Sequence, residues 1–248
     1  MRRQLLAARD GHTIPFFLWI GVILLLQLLE GAGWCPRQLY PWSYAVKSVA
    51  CLALFLAYRP WRIYPSLSVR HLPLAIAAGV LVTVLWILPE TPFVARALPR
   101  FQGFSYKWLV MMPGSFPSYA PELPPGHLSW AYSVEEAGWG LALAKLFGSG
   151  VVIATAEEFF FRGFLYRWLQ DSAFWKVRLA KFDARAFCIV LAVFAFEHDR
   201  WLAGALAGLV YGLLAVRTGD IWCCALAHGT TNTLLGIYVL HQNAYGFW

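Results

Sequence analysis

The amino-acid sequence predicts an all-α protein, a polytopic transmembrane helix bundle of about seven to eight spans. Three observations predict it. Of 248 residues, 60% are hydrophobic and only 13% are charged, about half the charged share of a soluble domain. The apolar residues come in long runs, several of 16 or more residues, which suits helices crossing a hydrocarbon core about 30 Å thick. Trp and Tyr gather near the ends of those runs, where amphipathic rings anchor at the membrane interface. The chain is too short for two large soluble domains beside a membrane part. Residues 1–248 therefore read as one integral membrane domain: a three-helix part (1–88), a long connection (89–137) and a C-terminal core (138–248).

The first helix is expected over Ile14–Leu29, with Pro15 in its first turn, where a missing N–H costs nothing. Arg2, Arg3 and Arg9 precede it in the manner of a signal peptide. The run is long, however, and Gly31-Ala32-Gly33 is a poor cleavage site, so it reads as a retained span. A second helix runs from Trp42 to Tyr58 and stops at Arg59-Pro60; a third runs from Leu72 to Leu88 and ends at Pro89. The connection is rich in Pro and aromatics, and Phe93–Met112 within it suits an interfacial or re-entrant segment. Four more helices follow: Trp139–Leu169, Ala186–His198, Trp201–Val216 and Ile221–Leu240. Gly204, Gly208 and Gly212 recur every fourth residue, a small-residue face that lets another helix approach closely.

The formal charge of +7 does not imply nucleic acid, because Lys and Arg sit mostly in short loops rather than in a basic run with interleaved aromatics. Their alternation fits a cytoplasmic N-terminus and an outer C-terminus. The five cysteines (Cys35, Cys51, Cys188, Cys223, Cys224) form no CxxC pair and read as small, mostly buried hydrophobes. His12, His71, His127 and His241 fall at loops or span ends and are expected to be solvated. Glu197 and Asp199 read as charges near the outer interface, with Glu197 at the edge of an entrance.

Glu157-Glu158-Phe159-Phe160-Phe161-Arg162 breaks this pattern, lying deep in the fourth apolar run. Each charge at bilayer depth costs about 2.5–3.5 kcal/mol, so three need partners or a polar cavity. Glu158 and Arg162 are four apart and share a helix face, which suits an ion pair; Glu157 then points about 100° away. His228 and Asn232 are likewise four apart. At a rise of 1.5 Å per residue, Glu157 and His198 each lie about 18 Å from the inner ends of their helices, and His228 and Asn232 about 10 and 16 Å. All four can therefore meet in one intramembrane cavity.

Their chemistry is water activation. A carboxylate beside an imidazole orients and deprotonates water, while a second His and an Asn stabilise the oxyanion of a tetrahedral intermediate. No Gly-x-Ser-x-Gly, Cys nucleophile pair or Walker loop is present. These residue types describe peptide-bond hydrolysis without a covalent intermediate.

Three motifs occur in order: Glu157-Glu158…Arg162 as EExxxR, Phe194…His198 as FxxxH, and His228…Asn232 as HxxxN. Over about residues 137–241 the chain thereby resembles the CAAX-protease and bacteriocin-processing (CPBP, Abi) family, which includes the Ras-converting prenyl endopeptidase. The resemblance implies a glutamic-type intramembrane protease. It implies Glu157 as the water-activating base, His198 as its partner, His228 with Asn232 as the oxyanion site, and Glu158 with Arg162 as the supporting pair. Implied partners are membrane lipid and a membrane-anchored peptide or protein, lipidated or not, with no cofactor, no metal and no nucleic acid. The implied location is the bacterial inner (plasma) membrane. Two alternatives stand beside this reading. One is a zinc-dependent hydrolase using Glu157, His198 and His228, although no HExxH is present; the other is a non-catalytic scaffold or immunity protein of the same fold.

Overall fold

Helices form wherever the sequence carries an apolar run. The computed structural model describes residues 2–100, 123 and 127–248, and among these residues there are helices and no strands. The main elements are α1 (Arg2–Gly31), α2 (Leu39–Tyr58), α3 (Leu72–Ile87), α4 (Pro92–Ala97), α5 (Val134–Trp168), α6 (Ala184–Phe196), α7 (Trp201–Thr218) and α8 (Ile221–Gln242). Six of them (α1, α2, α3, α5, α7, α8) are long and apolar enough to cross a membrane. α6, with 13 residues, rises only about 20 Å. It nevertheless runs beside α7: a Cβ on Gly204, Gly208 or Gly212 would meet Ala195, Leu191 and Phe194, or Phe187. The glycine stripe thus faces α6 along its length, antiparallel.

Two boundaries differ from expectation. α1 begins at Arg2 and carries Pro15 in its interior. The last of the extra turns is packed into the fold, with His12 buried against Phe159 and Phe174. α6 stops at Phe196, so His198 lies on the turn before α7. There the polar run Glu197-His198-Asp199-Arg200 leaves the helix, and Arg200 forms a buried ion pair with Glu90 at the end of α3. Most of Phe93–Met112 lies outside the described residues; within them, α4 is a short helix capped by Thr91.

Local chemistry sets the remaining ends. Ser133 caps α5, with Glu135 and Glu136 in its first turn, a favourable place for acids at a helix N-terminus. Gly138, at φ 76° and ψ 163°, separates that turn from the continuous helix beyond. Asp183 caps α6, and Asp220 caps α8 through the N–H groups of Trp222 and Cys223. Asp220 also accepts the Ser68 N–H and lies 2.9 Å from His71 Nδ1. His12 and His71 are therefore bonded groups inside the fold rather than solvated ones, His12 being paired with the Tyr64 hydroxyl at 2.8 Å.

α5 is the axis of the bundle. Phe159, Phe160 and Phe161 face three directions at once: Phe159 meets Phe55 and Trp222, Phe160 stacks on Phe16, and Phe161 meets Phe194. α3 lies against α8 through Gly79, where an added Cβ would be 2.6 Å from the Ala227 carbonyl oxygen. The outward faces carry exposed Phe17, Leu24, Leu25, Val46, Val49 and Val80, the apolar belt a lipid-facing surface requires. This is a polytopic helical membrane protein.

Candidate active site

α5 is not uniformly wound. Two π-helical segments, Gly148–Ile153 and Phe159–Leu165, flank the α-helical turns holding Glu157 and Glu158. A π turn widens the helix by one residue and re-aims the side chains around it. The first is also where helices come closest, since a Cβ on Gly229 of α8 would lie 2.5 Å from the Gly150 carbonyl oxygen.

Glu158 and Arg162 form the expected pair, Nη1 to Oε1 at 2.9 Å, both essentially excluded from solvent at 0% and 2% exposure. Arg162 also donates Nη2 to the Gly208 carbonyl at 3.2 Å and lies 4.3 Å from the Phe194 ring centroid. The same Glu158 Oε1 stands 3.0 Å from His228 Nδ1. With Nδ1–H donating to the carboxylate, the tautomer is fixed and Nε2 is left as the free ring nitrogen. The His228 ring is further seated on Tyr211, at 4.9 Å between centroids, and the Tyr211 hydroxyl donates to Thr231 Oγ1 at 2.7 Å.

Glu157 faces the other nitrogen of the same imidazole. Its Oε2 is 3.7 Å from His228 Nε2 and is buried with no hydrogen-bond partner. That separation exceeds a direct hydrogen bond and matches a water-bridged one. Glu157, His198, His228 and Asn232 all line one cavity of about 220 Å³. His198 Nδ1 is 2.8 Å from the Phe194 carbonyl oxygen, to which it donates; its ring packs on Trp86 and Phe194, and its Nε2 is the free nitrogen. No ring nitrogen of His198 comes within 4.0 Å of a Glu157 carboxylate oxygen, so His228 presents the imidazole nitrogen nearest that carboxylate. Asn232 donates one amide N–H to the Ser149 carbonyl at 3.0 Å, leaving its second N–H free.

Two features escaped the sequence. Lys47 and Lys145 line the same cavity, and the Glu197 carboxylate has a buried oxygen without a hydrogen-bond partner. Lone charges in apolar runs were the available signal. Among the described residues no three His, Cys, Asp or Glu side chains converge as metal ligands would.

Residues 139–234 match the family model described as type II CAAX prenyl endopeptidase Rce1-like. The matched segment runs from α5 to α8 and contains Glu157, Glu158, Arg162, His198, His228 and Asn232. No curated protein and no solved structure matches the chain.

Proposed function

We propose, taking the match to the CAAX prenyl endopeptidase family as premise, that this protein is an intramembrane endopeptidase acting on a membrane-anchored substrate through a glutamate-activated water. The observation that carries the reading is the unbonded Glu157 Oε2, facing His228 Nε2 at 3.7 Å inside the cavity. A water bridging those atoms would be oriented by both, with Glu157 as its base.

As that water attacks the scissile carbonyl carbon, its proton passes to Glu157 and the carbonyl oxygen becomes an oxyanion. The free N–H of Asn232 is a donor for it, as is the Nε2–H of His228 when the ring enters the step already as imidazolium, with Nδ1–H still held by Glu158, in a site where low dielectric strengthens each bond. Collapse of the intermediate breaks the C–N bond, and the proton held by Glu157 goes to the leaving amine directly or by way of His198 Nε2. Glu158 and Arg162 hold the His228 ring and touch no reacting atom. The Lys and Arg distribution supports a cytoplasmic N-terminus, and the membrane we propose is the bacterial inner membrane.

The test is comparison of membrane proteomes from cells carrying the wild type or Glu157→Gln, followed by assay of the accumulating precursor in detergent. The isosteric variant should abolish processing. Asn232→Ala should lower kcat by about 10²–10³, the usual cost of one oxyanion donor. Full processing by Glu157→Gln would return the chain to a scaffold role. Loss of activity on chelation, restored by zinc, would replace the glutamate mechanism with a metal-dependent one.

A further inference from the structure

Lys47 of α2 and Lys145 of α5 are 5% and 7% exposed, and both line the cavity that contains Glu157. Aromatic rings surround them. Lys47 Nζ lies 4.2 Å from the Trp19 ring centroid and 4.6 Å from that of Tyr44. Lys145 Nζ lies 4.0 Å from Tyr44 and 3.9 Å from Tyr132. Two cations therefore share the Tyr44 ring in the interior of a membrane bundle. Among the described residues no carboxylate comes within 4.0 Å of either ammonium, and neither makes a hydrogen bond. Other buried cations do have partners: Arg162 has Glu158, Arg200 has Glu90, and Arg167 donates to the Tyr64 hydroxyl and to two backbone carbonyls, while Glu157 and Glu197 each keep a buried carboxylate oxygen without a hydrogen-bond partner.

Cation–π attraction offsets only part of the cost of removing an ammonium from water, and two like charges around one ring repel. An anion between them would reverse that repulsion and satisfy their N–H groups. The cavity is where it would have to sit. Lys145 precedes Glu157 by twelve residues on α5, somewhat less than the ~18 Å such a span covers in a regular helix, so the two residues enter the same cavity from different turns of one helix.

We infer that Lys47 and Lys145 form an anion-binding subsite that holds a carboxylate of the peptide substrate inside the cavity that contains Glu157. The inference rests on the reading of this cavity as a peptide-binding site. A carboxylate is favoured over a lipid phosphate because the lysines open into the cavity rather than onto the apolar outer belt. It could come from the peptide C-terminus or from an Asp or Glu side chain.

Equilibrium binding to the full chain in detergent tests this without requiring turnover. The probes are fluorescently labelled apolar heptapeptides in three forms: free acid, C-terminal amide, and amide with one internal Asp. At least one carboxylate form should bind on the order of tenfold or more tighter than the neutral amide, as expected for a charge-assisted bond. Which form gains identifies the source of the carboxylate. Lys47→Met and Lys145→Met should bring that ratio toward one, while Lys47→Arg and Lys145→Arg should retain most of it. Equal binding of all three peptides by the wild type, or a ratio unmoved by Lys→Met in protein with wild-type thermal unfolding, overturns the subsite. Displacement of the acid and the amide alike by short-chain phosphatidic acid, in a lysine-dependent manner, overturns it in favour of a lipid site. The same ratio measured in Glu157→Gln separates this inference from the catalytic one: hydrolysis should disappear there while the ratio stays.

Discussion

Replacing Arg162 by Met should be among the most damaging single changes in this protein. The guanidinium is 2% exposed, bonds Glu158 Oε1 at 2.9 Å and the Gly208 carbonyl at 3.2 Å, and lies over Phe194. Met fills much of the volume but leaves the fully buried Glu158 carboxylate facing only His228 Nδ1. Breaking a buried pair by deleting one partner costs about 3–5 kcal/mol, because the remaining charge is uncompensated. Removing both charges is expected to cost much less. In Glu158→Gln/Arg162→Met the amide oxygen can still accept the His228 N–H. The double variant should therefore be more stable than Arg162→Met alone, with a coupling of about 0.5–3 kcal/mol. Unfolding of purified protein by SDS or heat in one fixed detergent, followed by tryptophan fluorescence and circular dichroism, measures all four corners of the cycle. A loss below about 1 kcal/mol for Arg162→Met, or strictly additive single changes, would refute the claim that this pair compensates buried charge.

Two further outcomes follow from geometry. Gly229→Ala places a methyl group 2.5 Å from the Gly150 carbonyl oxygen, so α8 must move off α5. It should lose about 1–3 kcal/mol together with proteolysis, whereas Gly140→Ala, with open space around it, should be neutral or slightly stabilising in the same melt. Tyr64→Phe removes the hydroxyl that Arg167 Nη1 and His12 Nε2 share at 2.8 Å each, for a loss of about 1–3 kcal/mol. Burial pushes that hydroxyl up to about 12, the Arg167 guanidinium only partly opposing it. A folded value above the unfolded one means its stabilisation is complete below about pH 10 and lost as pH rises through about 12. Alkaline melts of the wild type and Tyr64→Phe should therefore converge only above pH 10.

The site was legible where chemistry and spacing were local. Glu158 and Arg162 could be paired from four-residue spacing alone, and the Gly204–Gly208–Gly212 stripe announced a helix contact that α6 supplies. What resisted reading depends on distant partners. His12 is buried by Tyr64, Phe159 and Phe174, and His71 is held by Asp220; nothing beside either residue encodes those neighbours. His198 leaves its helix on a turn anchored by Arg200 reaching Glu90, 110 positions away. The nearness of Glu157 to His228 depends on two π turns whose residues, such as Gly148-Ser149-Gly150, read equally well as ordinary helix.

Those π turns make register, rather than residue identity alone, a determinant of this protein. A π turn takes up one residue more than an α turn while advancing the helix by nearly the same angle. Deleting one residue within Gly148–Ile153 would therefore let α5 rewind as a regular helix with its Lys145 and Glu157 faces kept nearly in phase. The same deletion in an α-helical stretch of α5 would instead rotate one half by about 100° and shift it by about 1.5 Å relative to the other. The two π segments are thus the places where α5 can lose a residue and still present both faces to the cavity.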